Sequence, residues 1–254
     1  NREVKYDYRS AIADSIRIFL RDTLNGIRFR RKPNSVHIYG WIPSRFTKVR
    51  NYRYVKKYGV TPDELKAYRI VYFPLQMEPE ASLLKFSKEF TNTQEAIVWI
   101  SKSLPVDWIL VVKEQSKAFQ FRSRSFYHRF RQIGNVVLAS PEVHSWEWIK
   151  ASKLVSTITG TAAQEAIHFN TPVLSFSRHV AFNKLPTVLP VSNFEEVKEA
   201  VDVVCSGAID EEELAKSRIA LATSQVAISF DLPMLKHCYK SNSLEKEGAS
   251  IACR

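Results

Sequence analysis

The feature of this sequence that most constrains its fold is the alternation of short apolar runs with helical segments after residue 62. The apolar runs are continuous, which is typical of parallel strands buried on both faces. Repeated strand–helix units form a doubly wound parallel sheet with helices on both sides. The sequence therefore predicts an α/β, Rossmann-like fold. The predicted strands are 70–74, 108–113, 136–139, 154–157, 172–176 and 187–189.

Helical segments fill the intervals between these strands. Thr61, with Pro62 and Glu64 after it, is a helix-start pattern, and Ser192 with Glu195 predicts a capping box. Ahead of the sheet, apolar residues at helical spacing predict an amphipathic helix over 10–25, which Gly26 is expected to end. The other predicted helices are 93–104, 126–132, 145–152, 162–169, 193–204 and 210–228.

The positive charge of the chain is confined to its first quarter. The net charge is +11, and residues 1–62 hold 15 Lys/Arg against 4 Asp/Glu, whereas the remainder holds 22 of each. This segment therefore favours an acidic partner, such as an anionic membrane surface, an acidic glycan, a lipid-linked acceptor or nucleic acid. A solvated helix surface, or one docked on an acidic domain, is an equally good interpretation.

Nucleic acid is the weaker of these partners. The stretches 28–32 and 45–58 interleave Arg and Lys with aromatic residues, as base-stacking surfaces do. However, the sequence contains no RNP, KH or zinc-finger pattern. Aromatic and basic residues also mix on membrane-facing and helix-packing surfaces.

Cysteine content and hydropathy bear on the compartment and on the domain division. Cys205, Cys238 and Cys253 are an odd number without metal-ligand spacing, which favours a reduced cytoplasmic environment and no zinc site. No apolar run reaches the ~18 residues of a transmembrane helix, and no signal peptide is visible. We expect a cytoplasmic protein, with peripheral attachment to the inner membrane face as an option.

The chain begins with Asn1, so we expect it to be part of a longer protein. The predicted divisions are a basic helical segment or linker (1–62), a nucleotide-sugar-binding domain (63–240) and a polar tail (241–254).

The candidate functional residues follow the strands, because ligands of open α/β sheets bind at the carboxyl ends of the strands. After the fourth strand, Gly160 permits a tight turn and a helix begins at Thr161. Backbone N–H groups and the helix dipole at this junction form a phosphate site, to which the Thr159 and Thr161 hydroxyls add hydrogen bonds. Glu165, one turn into the helix, is placed to accept a hydrogen bond from a ribose or sugar hydroxyl. The alternative is that Thr161 and Gln164 form only a capping box.

Three further places lie at strand ends. Lys113 ends the second strand and is placed to face a phosphate, and Glu114 and Gln115 are placed to touch base or ribose. The loop after the first strand carries Gln76 between Pro74 and Pro79, with Glu80 directly after Pro79, and it is placed to face donor and acceptor. After the third strand, His144 is a ligand, a base or a helix cap. The alternative for each of these three strand ends is an ordinary polar turn without a function.

Several enzyme classes lack their sequence signatures here. The chain has no Walker A, GxGxxG, GxSxG or HExxH motif and no kinase motif set. A P-loop ATPase, a nicotinamide dehydrogenase and a serine hydrolase are therefore disfavoured. No cofactor is expected, and no metal-ligand cluster is visible in the sequence.

Taken together, three blocks of this sequence resemble the capsule polysaccharide biosynthesis family, which includes Kdo-transferring enzymes. They are YFPLQMEPEAS (72–82), IVWISKSLPVDWILVVKEQS (97–116) and HSWEWIKASKLVSTITGTAAQEAIHFNTPVLSFS (144–177). The resemblance implies a GT-B-like fold, with this sheet as the C-terminal domain that binds a CMP- or UDP-linked sugar. The family usually has Glu-His-Pro where this chain has Glu114-Gln115-Ser116, and in relatives that His helps to hold the donor phosphate. Gln115 donates hydrogen bonds but carries no charge.

The resulting hypothesis is a metal-independent glycosyltransferase of capsular or surface polysaccharide biosynthesis. The donor would be a nucleotide sugar, and the acceptor a glycan or a lipid-linked glycan. Glu80 is the one loop acid nominated as catalytic base, although in GT-B-like enzymes that base commonly comes from the N-terminal domain. The alternatives are a non-catalytic polysaccharide assembly or export protein, a sugar-nucleotide epimerase and a nucleic-acid-binding module.

Overall fold

The computed structural model of the protein describes residues 7–29, 42–77, 93–177 and 180–228. Within these ranges a six-stranded sheet is surrounded by helices. The strands are β1 (Arg69–Pro74), β2 (Trp108–Lys113), β3 (Val136–Leu138), β4 (Leu154–Thr157), β5 (Val173–Ser175) and β6 (Val188–Pro190). The helices are α1 (Tyr8–Phe29), α2 (Ile42–Tyr58), α3 (Thr93–Ser103), α4 (Arg124–Phe130), α5 (Ser145–Ala151), α6 (Ala162–His168), α7 (Phe194–Cys205) and α8 (Glu211–Ile228).

The sheet has the order β3-β2-β1-β4-β5-β6, and all of its strand pairs are parallel. The prediction of a doubly wound parallel α/β fold is therefore confirmed. The longest pairing joins β1 to β2, in register from Arg69 opposite Trp108 to Pro74 opposite Lys113. The central strands are almost entirely buried, as their continuous apolar sequences require.

Two cores lie on opposite faces of the sheet, because successive side chains of a strand point to opposite sides. Val71 and Phe73 of β1 enter a core that α2, α3, α4 and α7 cover. Ile70 and Tyr72 enter the other core, which α5, α6 and α8 cover. No helix of the described ranges has the length and apolar content needed to cross a bilayer.

The ends of two predicted helices differ from the structure. Gly26 does not end α1, which continues to Phe29. A helical glycine costs about 1 kcal/mol relative to alanine, but a glycine cap requires left-handed backbone, which is found instead at Gly207 after α7. The predicted capping box at Ser192 is displaced by one residue. Asn193 caps α7 by accepting from Glu196 N at 2.8 Å, and the Glu196 carboxylate accepts from Ser192 N at 2.7 Å.

The basic helix α2 packs against the sheet although its sequence has six cations and no acid. Tyr54 and Val55 belong to the same core as β1. The buried Asn51 side chain donates hydrogen bonds to the carbonyls of Phe119 (2.8 Å) and Arg122 (2.7 Å). Within the described residues, α2 thus shares its core with the sheet. The division at residue 62 and the polar tail remain predictions, and the tail lies outside the described residues.

Asn51 is expected to be a major anchor of α2. Asn51→Leu keeps the volume but leaves two carbonyls without their donor, so we expect the free energy of unfolding to fall by about 2 kcal/mol. Urea denaturation measures this change. Gln132→Leu is the control, because it also replaces an amide side chain with leucine but at an exposed position. It should change the free energy of unfolding by less than about 0.5 kcal/mol. Equal effects of the two substitutions would show that the Asn51 bonds do not anchor the helix.

Candidate functional site

The strand order defines a crevice at the carboxyl edge of the sheet, between β1 and β4. From β1 the chain continues to β2 and β3 on one side, whereas β4, β5 and β6 lie on the other. The connections that follow β1 and β4 therefore leave in opposite directions, and open α/β sheets bind ligands at such a switch point. Gln76 follows β1, and the turn 157–161 follows β4, so both flank this crevice.

The side chain of Gln76 joins the two sides of the crevice. It is 3% exposed, and one end of its amide faces the backbone N–H groups of Thr159 and Gly160. Two donors at one end place the amide oxygen there, where it accepts from Thr159 N at 2.8 Å and Gly160 N at 2.5 Å. The amide nitrogen then donates to the Thr159 hydroxyl at 3.0 Å. Gln76 therefore fixes the shape of the turn after β4 from the neighbouring strand.

Gly160 is required in this turn because there is no room for a Cβ atom. An added Cβ would lie 2.8 Å from Thr157 Oγ1 and 3.0 Å from the nearest atom of the Gln76 side-chain amide. Thr157 is fully buried, and its Oγ1 also accepts a hydrogen bond from Gly160 N at 3.0 Å. This hydrogen bond closes the turn. The prediction that Gly160 permits a tight turn thus has a steric basis.

The N–H groups that remain available for a ligand lie one residue further on. Gly160 N and Thr159 N are directed at Gln76 and Thr157, whereas Thr161 N and Ala162 N have no acceptor among the described residues. Thr161 is exposed, and its hydroxyl makes no capping hydrogen bond, so the alternative capping box with Gln164 is not formed. Within the described ranges, two N–H groups and one hydroxyl of the turn are therefore not used by its own hydrogen bonds.

Lys113 lies at the same edge but does not reach into the turn. Its amino group donates to the Ser140 carbonyl at 3.3 Å, and the residue is 9% exposed. Burial lowers the pKa of Lys113 to about 8, and the Glu147 carboxylate opposes this shift. In the part of the chain that the structure describes, no carboxylate forms an ion pair with this ammonium, and a buried cation without such a partner attracts anions, since little solvent screens it.

Glu114, the next residue, belongs to a buried ion pair. Its carboxylate contacts Arg122 Nε at 2.7 Å and accepts from Tyr127 Oη and Gln115 N, both at 2.9 Å. Burial raises the pKa of the Glu114 carboxyl, and the Arg122 guanidinium opposes this shift. Arg122 also donates to the Gln76 carbonyl. The ion pair therefore braces the loop that carries Gln76.

The remaining predicted site residues are dispersed. Gln115 is exposed next to the ion pair. Glu165 is half-buried on α6 near Tyr72, whose phenol pKa is raised by burial above all and also by the Glu165 charge. Glu80, the nominated catalytic base, lies outside the described residues. His144 is the cap of α5, with Nδ1 accepting from Trp146 N at 3.2 Å, as the helix-cap interpretation predicted.

The structure thus brings together Gln76, Thr159 and Gly160, and it adds Thr157 and Arg122, which were not among the predicted site residues. Thr157 is the last residue of a strand, immediately before the turn, and this position in the sequence could have identified it as a site residue. No local pattern marks Arg122.

On the opposite edge of the sheet a cavity of about 570 Å³ opens, which none of the predicted site residues lines. Arg69, Lys150 and Lys153 are among its lining residues.

Comparisons with known proteins give distant structural likenesses only. No protein-family model and no curated protein matches the chain. Among solved structures, the chain is similar to the C-terminal CMP-Kdo binding domain of WaaA from Acinetobacter baumannii, with 13% identity and a TM-score of 0.40 over 69% of this chain and 97% of that one. It is also similar to the S. aureus MnaA–UDP co-structure (16%, TM-score 0.42, 68% of this chain and 45% of that one). A third likeness is to the spinosyn rhamnosyltransferase SpnG complexed with thymidine diphosphate (16%, TM-score 0.41, 64% and 42%). The chain spans less than half of the last two, and likenesses of this size carry no argument for a shared activity.

The Glu114–Arg122 pair gives a testable prediction for this edge of the sheet. Arg122→Met should lower the free energy of unfolding by about 3 kcal/mol, because it leaves a buried carboxylate unpaired. Adding Glu114→Gln should restore most of this loss, since the uncompensated charge is then gone. Urea denaturation of both single variants and the double variant measures the coupling. Additive losses in the double variant would contradict the ion-pair account.

Proposed function

We propose that the protein binds a nucleotide sugar at the carboxyl edge of the sheet, as part of a glycosyltransferase-like protein of surface polysaccharide biosynthesis. The observation that carries this proposal is the Gln76 bridge, the hydrogen bonds from the Gln76 amide to Thr159 and Gly160, because it shapes the turn after β4 where the strand order opens a crevice. The sequence blocks that resemble the capsule family contain both partners of this bridge.

The donor phosphate would bind to the outer side of the turn. Thr161 N and Ala162 N supply the N–H groups, and the Thr161 hydroxyl adds a further donor. The helix that follows has only seven residues, so these local donors contribute more than an extended helix dipole. Gln76 and Gly160 act by positioning the turn and need not contact the donor.

Lys113 would contribute positive charge at the same edge. Charge that grows on a departing phosphate is stabilised most where solvent is excluded, and Lys113 is almost fully buried. Loss of its proton removes this contribution, and its lowered pKa brings that loss close to the physiological range.

In the proposed transfer, the bond between the anomeric carbon of the sugar and the phosphate oxygen breaks, and the nucleotide leaves with the negative charge on its phosphate. The acceptor hydroxyl attacks the sugar carbon and loses its proton to a carboxylate base. Glu80 remains the nominee for that base. The family resemblance favours a CMP- or UDP-linked donor such as CMP-Kdo, a glycan or lipid-linked acceptor, a metal-independent reaction and a cytoplasmic site of action.

A second candidate is a protein that binds a nucleotide sugar without transferring it, as a polysaccharide assembly or export protein would. The exposed Gln115 favours it, because the family's phosphate-binding histidine is replaced here by a neutral amide. Sugar transfer from CMP-Kdo or a UDP-sugar, followed with mixed glycan acceptors, separates the two candidates. Isomerisation of the donor without an acceptor would instead identify an epimerase.

The turn gives the first prediction for nucleotide binding. Gly160→Val should weaken CMP and UDP binding at least about tenfold, because the added Cβ displaces Thr157 or Gln76 and distorts the turn. Isothermal titration measures the affinities. Gly134→Val is the matched control, since a Cβ at Gly134 meets nothing within 4 Å. Unchanged affinities in a folded Gly160→Val variant would remove the proposed phosphate site.

Lys113 gives the second prediction, through its protonation. The anion binds the protonated amine, so UDP affinity should be near its maximum at pH 7, fall about twofold by the pKa of about 8, and fall further as the pH rises above it. Lys113→Met should bind UDP more weakly at pH 7 and flatten the profile. Lys150→Met, at the opposite edge of the sheet, should keep the wild-type profile. A flat wild-type profile, or the same profile in Lys113→Met, would show that Lys113 is not involved.

A further inference from the structure

Helix α1 presents its large apolar side chains to the outside of the molecule. Ile12, Ile16, Leu20 and Leu24 recur every four residues and are 48%, 54%, 54% and 64% exposed. Residues at this spacing lie one above the other on a single helix face. We call these four residues the apolar row. It is an orientation opposite to that of an ordinary surface helix, whose apolar face packs on the core.

The face of α1 that packs on the body consists of small residues. Ala11 is 4% exposed and Ser15 is 9% exposed, and the Ser15 hydroxyl donates to the Ala11 carbonyl. Tyr8 stacks on Phe46, and Arg45 pairs with Asp14 at 3.5 Å, so α2 holds α1 in this orientation. The apolar row is thus held outward by contacts on the other side of the helix.

Positive charge borders the apolar row. Arg9 and Arg17 are exposed on α1 itself. On α2, the exposed Arg50, Arg53 and Lys57 share one face, and the Arg53 guanidinium lies 4.4 Å from the ring centroid of Tyr8 at the start of α1. The cationic face of α2 therefore begins next to α1.

We propose that α1 lies in the headgroup region of an anionic membrane, with the apolar row buried among the acyl chains and the α2 cations facing the lipid phosphates. An exposed apolar stripe with Arg or Lys at its border is the pattern of interfacial helices. The charges favour lipid over a second copy of this chain, because a symmetric contact would bring the cations of both copies together. The proposal is independent of the nucleotide-sugar site.

Vesicle flotation of the full chain tests the proposal. The wild-type protein should float with vesicles of equal parts phosphatidylcholine and phosphatidylglycerol, and only weakly with phosphatidylcholine alone. Ile16→Glu/Leu20→Glu should reduce the bound fraction at least about tenfold, because each carboxylate opposes both burial and the lipid charge. Arg50→Gln/Arg53→Gln/Lys57→Gln should weaken binding about hundredfold at low salt.

The control replaces two exposed apolar residues elsewhere. Val106 and Ile219 are 101% and 61% exposed and do not belong to the apolar row. Val106→Glu/Ile219→Glu should therefore float like the wild type. The proposal is overturned if wild-type protein stays unbound, or if the row variant floats as well as the control. It is equally overturned if wild type is a dimer that only the row variant dissociates, since a second copy then covers the row. Circular dichroism establishes that each variant is folded.

Discussion

The hydrogen bonds between Gln76 and the turn after β4 are the interaction on which the proposed site depends. Parallel pairing aligns β1 with β4 from Val71 opposite Leu154 to Tyr72 opposite Val155, and the strand order directs the loops beyond these strands apart. Gln76 joins the two loops by accepting hydrogen bonds from Thr159 N and Gly160 N. Thr157, at the end of β4, accepts a further hydrogen bond from Gly160 N. The N–H groups of Thr159 and Gly160 thus serve the fold, whereas those of Thr161 and Ala162 have no acceptor among the described residues.

Two buried cations at this edge have different environments. Arg122 is paired with Glu114, so its charge is compensated and the pair mainly holds the Gln76 loop in place. The Lys113 amino group has, among the described residues, the Ser140 carbonyl as its hydrogen-bond partner, and burial lowers its pKa towards neutrality. A compensated pair is suited to a structural role, whereas an uncompensated ammonium becomes more favourable when an anion arrives. This difference distinguishes two residues that the sequence presents as equally basic.

The sheet was largely predictable because its strands are continuous apolar runs, a signal that does not depend on distant residues. β2 and β4 begin and end where predicted, and the others differ by one or two residues. The site was less predictable because its contacts join segments far apart in sequence. Gln76 and Gly160 were both predicted as site residues, but nothing local indicates that they touch each other. Similarly, the charge of α2 indicated a segment apart from the sheet, whereas Tyr54 and Val55 place its other face in the core.

The central claim is that a nucleotide binds at the carboxyl edge of the sheet, at the turn after β4. The most direct measurement is an amide NMR titration of the assigned protein with UDP and with CMP. The account predicts the largest shifts at the amides of Thr159, Gly160, Thr161 and Ala162, with saturable dependence on nucleotide concentration. Shifts centred instead on Ser206 and Gly207, which line the cavity at the opposite edge, would contradict it, as would the absence of any shift in the turn.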